Sequence, residues 1–325
     1  MKIYEERRLK LTENLGGDIA VIIPGSVLAN RSNDTAYPFR QDSNFYYLSG
    51  FNEPDSTLMI ISKSGKTNSI GFVPKKDKLK EIWDGFRYGP EGMKSDFGFN
   101  DAFNNDEIDE LLPDLLDGVS CVYYPFGKVD GFDQKVINWT KKANSKDRHS
   151  KKMEIADISK IIGNKRLIKD SSEINIIEKA CKISANAHLE AMKFVKPGMN
   201  EAEVEAFYLY EFAKNGGRFP AYNPIVASGE NACVLHYVEN NQVINDGDLL
   251  LIDAGCEYEM YASDITRTFP ANGKFSDEQL QIYKIVLEAQ KASVDAVSKG
   301  NGVMDPQKIS EKVITEGLID LGIIK

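Results

Sequence analysis

The sequence predicts an α/β (α+β) chain of two domains, and three observations carry that prediction. Its 325 residues are about twice the length of a common single domain. In the first half, short apolar runs alternate with stretches of helical periodicity, the pattern of helices packed on a sheet. In the second half, amphipathic segments flank residues 248–256, a nearly continuous apolar run that reads as a strand buried on both faces.

In chain order, the charged segment 3–14 predicts a helix ending near Gly16-Gly17, and 18–23 a buried strand followed by a Pro-Gly turn. Residues 26–43 are polar and read as a loop. Strands are expected at 44–49, 57–62 and 67–73, a helix at 106–116, a strand at 119–124 and a helix at 130–142. Glu81 to Gly89 reads as a surface loop with a half-buried Trp83. The basic stretch 141–152, with His149, reads as a solvated linker. The domain boundary is placed just downstream, giving 1–170 and 171–325.

Ser171 or Ser172 can cap a long helix whose apolar face runs from Ile174 to Phe194. His188 lies on that face and reads as a packed, hydrogen-bonded histidine. Asn200 with Glu203 marks the next helix, Ser276 with Gln279 another, and Asp305-Pro306 a last one.

A net charge of -9 argues against a nucleic-acid surface. The apolar runs all fall short of the roughly 20 residues that span a bilayer. The start is charged and lacks a secretory core. Cys121, Cys181, Cys233 and Cys256 are scattered, as free thiols of a reducing compartment are, and a cytoplasmic location is the expectation.

The chemistry gathers around 248–269. Asp253 ends the apolar run, and a second strand-like segment, 261–269, rich in Thr, Tyr and Phe, contains Asp264. A hairpin turning at Tyr258-Glu259 sets Asp253 opposite Asp264 on one face. Carboxylates so placed repel, and a proton, a cationic side chain or a metal ion must lie between them. Arg267 points to the other face by its odd offset from Asp264, so a divalent metal best relieves the conflict. Two aspartates capping strand ends on backbone amides are the plainer alternative. His236 follows the apolar Cys233-Val234-Leu235 and is expected at a strand end.

The segments Leu250 to Gly255, Ser263 to Pro270, Tyr222 to Asn231, Val234 to Tyr237 and Phe39 to Phe51 together resemble the pita-bread metallopeptidases, and among them aminopeptidase P. The resemblance spans nearly the whole chain. It implies an amino-terminal creatinase-like α/β domain followed by an incomplete pita-bread domain. It implies a centre of two divalent ions, Mn²⁺ by its hard oxygen ligands, with Asp253 binding one ion and Asp264 bridging both. His236 and Tyr222 then stand on the substrate side. The implied partners are peptides with an Xaa-Pro amino terminus, in a homo-oligomer.

A histidine and two glutamates complete the family's ligand set, and the resemblance places them beyond Lys325. The expectation is therefore a portion of a longer enzyme, inactive or nearly so by itself. A metal-free pita-bread module that binds peptides or proteins, or a prolidase-type dipeptidase, are the alternatives.

Overall fold

The computed structural model describes residues 2–13, 15–146 and 152–325, and the chain divides into two compact units, 1–169 and 170–325. The first unit runs α1 (Lys2–Thr12), β1 (Ile19–Pro24), β2 (Asn30–Ser32), β3 (Thr35–Ala36), α2 (Ser43–Ser49), β4 (Thr57–Lys63), β5 (Lys66–Val73), α3 (Lys78–Asp84), α4 (Gly89–Phe97), β6 (Asp101–Asn104), α5 (Ile108–Leu115), β7 (Cys121–Tyr124), α6 (Phe132–Asn144), β8 (Glu154–Asp157) and α7 (Ser159–Leu167). Six of these strands form one mixed sheet in the order β6-β5-β4-β1-β7-β8. β1 is buried along its whole length because both faces of the sheet are covered. Ile19, Val21 and Ile23 pack with Leu11, Phe45, Leu48, Met93 and Ile162 on one side. Ala20 and Ile22 pack with Leu112, Phe132, Val136 and Trp139 on the other. The alternation of strand and helix in the sequence is thus a three-layer sandwich.

Three sequence expectations are corrected in this unit. Residues 44–49 form the helix α2 and not a strand. The aromatic run favours a strand locally, but Asp42 accepts hydrogen bonds from the amides of Asn44 and Phe45, both at 2.9 Å, and Gly50 closes the helix at φ 67°. Phe45 and Leu48, three apart, then enter the core together. The polar segment expected as a loop contains the β2–β3 hairpin. The segment carrying Trp83 forms the helix α3, capped by Asp77, and Trp83 is 88% exposed, not half-buried. Of the basic stretch, residues through Asn144 belong to α6, while His149 lies outside the described residues.

The second unit runs α8 (Ser171–Phe194), α9 (Glu201–Lys214), β9 (Phe219–Pro220), β10 (Ile225–Ser228), β11 (Leu249–Asp253), β12 (Cys256–Tyr258), β13 (Tyr261–Ala262), β14 (Thr266–Pro270), α10 (Asp277–Asp295) and α11 (Asp305–Asp320). The cap of α8 is Asp170, one residue before the serines expected there. Its carboxylate accepts from the amides of Ser172 and Glu173, and Glu173 reciprocates on the Asp170 amide. The boxes of α9 (Asn200 with Glu203) and α10 (Ser276 with Gln279) stand where the spacing puts them.

β10, β11 and β14 form one sheet and β9, β12 and β13 another. Ala180, Ile183, Ala187 and Ala191 of α8, with Val204, Tyr208 and Phe212 of α9, cover Val226, Leu250 and Ile252 on one face of the first. The other face carries a small cluster of Ile225, Ala227 and Tyr237 with the partly buried Leu251. β11 therefore alternates buried and half-buried residues, where the apolar run suggests burial on both faces. Its half-buried residues are Leu249, Leu251 and Asp253, the face on which the acidic pair lies.

Candidate metal and substrate site

The hairpin bearing the two aspartates turns at Glu259-Met260, one residue later than the sequence reading. Both residues take positive φ, 46° and 70°, as the tightest hairpin turn requires at its two central positions. A turn moved by one residue moves the pairing by two. Asp253 consequently pairs with Thr266 and not with Asp264. The ladder continues through Ala254 N–H to Ile265 O (3.2 Å) and Ser263 N–H to Cys256 O (3.0 Å), which sets Asp264 against Gly255. A shift of one would have sent Asp264 through the sheet, but a shift of two preserves the face. The two carboxylates are diagonal neighbours on one side.

Gly255 lets the strands approach at this point. A Cβ there would lie 1.8 Å from the carbonyl oxygen of Ser263, so the position accepts no side chain while the backbones keep their spacing. Behind it, Ser184 of α8 binds Ser263 Oγ at 2.7 Å and accepts from Cys256 N–H at 2.9 Å. His188 Nε2 meets Ala254 O at 3.2 Å, and its Nδ1 meets Tyr208 Oη at 2.9 Å. Both ring nitrogens are used and the residue is buried, so His188 is the packed histidine its position on the apolar stripe predicts. Burial holds its pKa below the usual histidine value. Cys256 is a buried thiol against Ala180 O.

Tyr222 brings the pair together. Its hydroxyl lies 2.5 Å from Asp253 Oδ1 and 3.1 Å from Asp264 Oδ1. A phenol has one proton and donates it to one carboxylate at a time, so two anionic groups share a single hydrogen. Partial burial, then the bond to Asp253 and the two negative charges, push the tyrosine far above the usual phenol range. Tyr222 is thus bonded to the acidic pair itself. Arg267 is exposed, pairs across from Ile252 and donates to Thr266 O at 2.7 Å, so it supplies no charge to this face.

Two convergent carboxylates with one proton between them are suited to a hard divalent cation. Alone they would supply only part of such a cation's shell. Among the described residues, no group of three or more His, Cys, Asp or Glu side chains is placed to hold an ion.

His236 lies in an exposed turn, not at a strand end. The chain leaves the sheet after Ser228 as a 3-10 turn, Gly229–Cys233, and Val234 and Leu235 remain open, Leu235 at 90% exposure. Their apolar character suggests a strand, but they pair with no neighbouring strand. The adjacent Tyr237 is buried in the cluster with Ile225, Ala227 and Leu251. Ile225 pairs directly with Asp253, and paired residues share a face, so the His236 turn is fastened to the side of the sheet that bears the acidic pair.

The sequence reading missed Glu201 and Asn240, which hold this turn. Asn240, at a positive φ of 45°, accepts from Val226 N–H at 2.9 Å and donates to Pro224 O at 2.9 Å and Glu205 Oε2 at 3.0 Å. No local pattern marks either residue, because their partners are 14 to 41 residues away.

The family description "Metallopeptidase family M24" matches residues 175–323, and "Aminopeptidase P, N-terminal domain" matches 4–123. The chain is 40% identical over 324 residues to the Xaa-Pro aminopeptidase of Haemophilus influenzae, covering 99% of this chain and 73% of that protein. It is 38% identical over 325 residues to that of Escherichia coli, covering 99% and 74%. Its fold superposes with a TM-score of 0.96 on the aminopeptidase PepP of Pseudomonas aeruginosa, at 40% identity, covering 99% of this chain and 73% of that one. The Zn-substituted E. coli aminopeptidase P in complex with product also gives 0.96, at 38% identity, covering 100% and 74%. The creatinase-like and pita-bread expectations hold, and the chain belongs to metallopeptidase family M24, among the Xaa-Pro aminopeptidases.

Proposed function

We propose that this chain carries part of the centre of a two-ion aminopeptidase that releases the first residue from peptides with proline second. The observation that carries the reading is the meeting of Asp253 and Asp264 at the Tyr222 hydroxyl, 2.5 and 3.1 Å away. The two carboxylates would hold the ions, with Mn²⁺ the preferred species for hard oxygen donors. When bound, such ions polarise a scissile carbonyl and make water a stronger nucleophile at neutral pH.

The chain's own groups orient and exclude. Tyr222 restrains both carboxylates, and its hydroxyl would be the donor nearest the pair for a substrate oxygen. His236, exposed beside the same face, donates or accepts at the peptide. Leu251 and Tyr237 form the apolar floor, which limits water beneath the site.

Two carboxylates do not fix two ions, so this stretch acting alone is expected to turn over little or nothing. The test is Mn²⁺ titration by calorimetry, followed by an assay of Xaa-Pro cleavage. Binding should be weak and lost in Asp264→Ala. Robust proline-specific cleavage by the 325 residues alone, or cleavage indifferent to Asp264→Ala, would sink the assignment.

The four cysteines are free, which supports a reducing, cytoplasmic setting. Among the described residues no helix is long and apolar enough to cross a membrane. Self-association is the expected state. α3 buries none of its residues and exposes Leu79, Ile82 and Trp83, with Phe86 just beyond, an apolar surface suited to a second copy. Light scattering of Trp83→Asp should show a smaller species than the parent chain, and an unchanged mass removes α3 from the interface.

A further inference from the structure

Glu201, the first residue of α9, is fully buried. Isolated, a buried carboxylate is strongly disfavoured. Here five donors converge on it. Oε1 accepts from Ser228 N–H (2.8 Å), Ser228 Oγ (2.7 Å) and Asn231 Nδ2 (3.2 Å), and Oε2 accepts from Tyr237 Oη (2.8 Å) and Gln242 N–H (3.0 Å). Burial alone would raise its pKa, yet the bonds from Ser228, Gln242 and Tyr237 outweigh burial and leave it below the usual carboxylate range. All five partners donate, so an amide in its place would turn its own N–H groups towards donors. The amino-terminal end of α9 adds favourable dipole to the anion.

The five donors are not scattered. Ser228 is the last residue of β10, Asn231 sits in the 3-10 turn, Tyr237 follows His236, and Gln242 closes the segment. One oxygen holds the start of 228–242 and the other holds its far side, leaving His236 at the open tip between them. Tyr237 at the same time packs its ring on Ile225, Ala227 and Leu251, the face of Asp253. We propose that Glu201 is a positioning residue, a two-ended staple that fixes His236 over the acidic pair. This inference rests on the substrate-side role proposed above for His236.

The experiment uses the full chain labelled with ¹⁵N at histidine. Its three histidines, His149, His188 and His236, are assigned by single substitutions. Mn²⁺ held by Asp253 and Asp264 broadens nearby ring signals. His188, bonded to Ala254 O beside Asp253, is the internal reference for occupancy. In the parent chain His188 and His236 should both broaden, and Asp264→Ala should abolish both effects. In Glu201→Gln, His188 should still broaden while His236 loses its broadening, and amides of 237–242 should exchange about tenfold faster or more. Tyr237→Phe, which removes one donor and keeps the ring packing, should show a smaller change of the same kind.

A purely structural role for Glu201 predicts instead that both histidines respond alike. Undiminished His236 broadening in Glu201→Gln, with His188 still broadened, overturns the staple. If Mn²⁺ broadens neither histidine in the parent chain, the metal reading falls separately. Hydrogen exchange then decides the staple: faster rates confined to 237–242 uphold it, and unchanged rates there, or rates raised equally through the strands of the second unit, reject it.

Discussion

The central strands of the two units, β1 and β11, are both read from apolar runs, yet they are used differently. β1 is buried on every residue, with helices on both sides of its sheet. β11 is buried only on alternate residues, and its other face carries Leu251 and Asp253. In the first arrangement every side chain of the strand is apolar and enclosed. The second gives carboxylates a scaffold rigid enough to hold them together and open enough for a ligand.

The same contrast recurs in two buried glutamates. Glu201, beside the site, is met by five donors. Among the described residues, Glu53 of the first unit receives the Tyr88 amide at 2.9 Å on Oε1, and its buried Oε2 meets no hydrogen-bond partner. Glu201 is held below the usual carboxylate pKa. Glu53 is pushed above it, first by burial, against the weaker pull of the Tyr88 amide and Arg87. Donors, not depth, set the direction in which these two buried acids shift.

Four experiments break or sharpen the comparison. Ile22→Ala in β1 removes a side chain packed on all sides and should cost about 2–5 kcal/mol in urea denaturation, whereas Leu251→Ala, on the open face of β11, should cost clearly less. Equal losses would mean that the second face is as closed as the first.

Next in size, Asp253→Ala and Asp264→Ala should each weaken Mn²⁺ binding by about a hundredfold or more, since even the outer partners of a metal site are worth about 10–100-fold. Metal-free stability should not fall, because removing one member relieves like-charge repulsion. Calorimetry and thermal melts read both; a large loss of metal-free stability would make the pair a structural device.

Gly255→Ala should cost about 1–3 kcal/mol by overpacking, because its Cβ would meet the Ser263 carbonyl. Gly16→Ala, with nothing within 4 Å, should stay within about 0.5 kcal/mol of the parent.

The smallest effects are in pH dependence. Glu201 has a depressed folded-state pKa. Its contribution is therefore complete above the ordinary 4.5 and is lost as pH falls below it. Glu53 has a raised one, so its contribution is complete below 4.5 and is lost as pH rises through its folded-state value. Glu201→Gln should flatten the acid limb of the stability curve and Glu53→Gln the limb above 4.5; identical curves for the two variants would refute the contrast.

Much of this was legible in the residues. The apolar runs of β1, β4, β5 and β7, the capping boxes of α9 and α10, and the acidic pair on a hairpin are local signals, because each depends on neighbours within a few positions. What misled was also local. The aromatic run at 44–49 has strand propensity, and only the Asp42 cap and the core contacts of Phe45 and Leu48 make it a helix. The turn at Glu259-Met260 contains no glycine or asparagine to announce its positive φ.

By itself the sequence determined the apolar runs of the central strands, the starts of α9 and α10 and that two acids share a face, because a period of two survives an even slip in register. The tertiary structure alone decided the pairing of Asp253 with Thr266, the meeting of both acids at Tyr222 and the burial of Glu201 under donors from a distant loop. Those are contacts across 13 to 42 residues. Their energies depend on desolvation and geometry that exist only once the chain has closed around them.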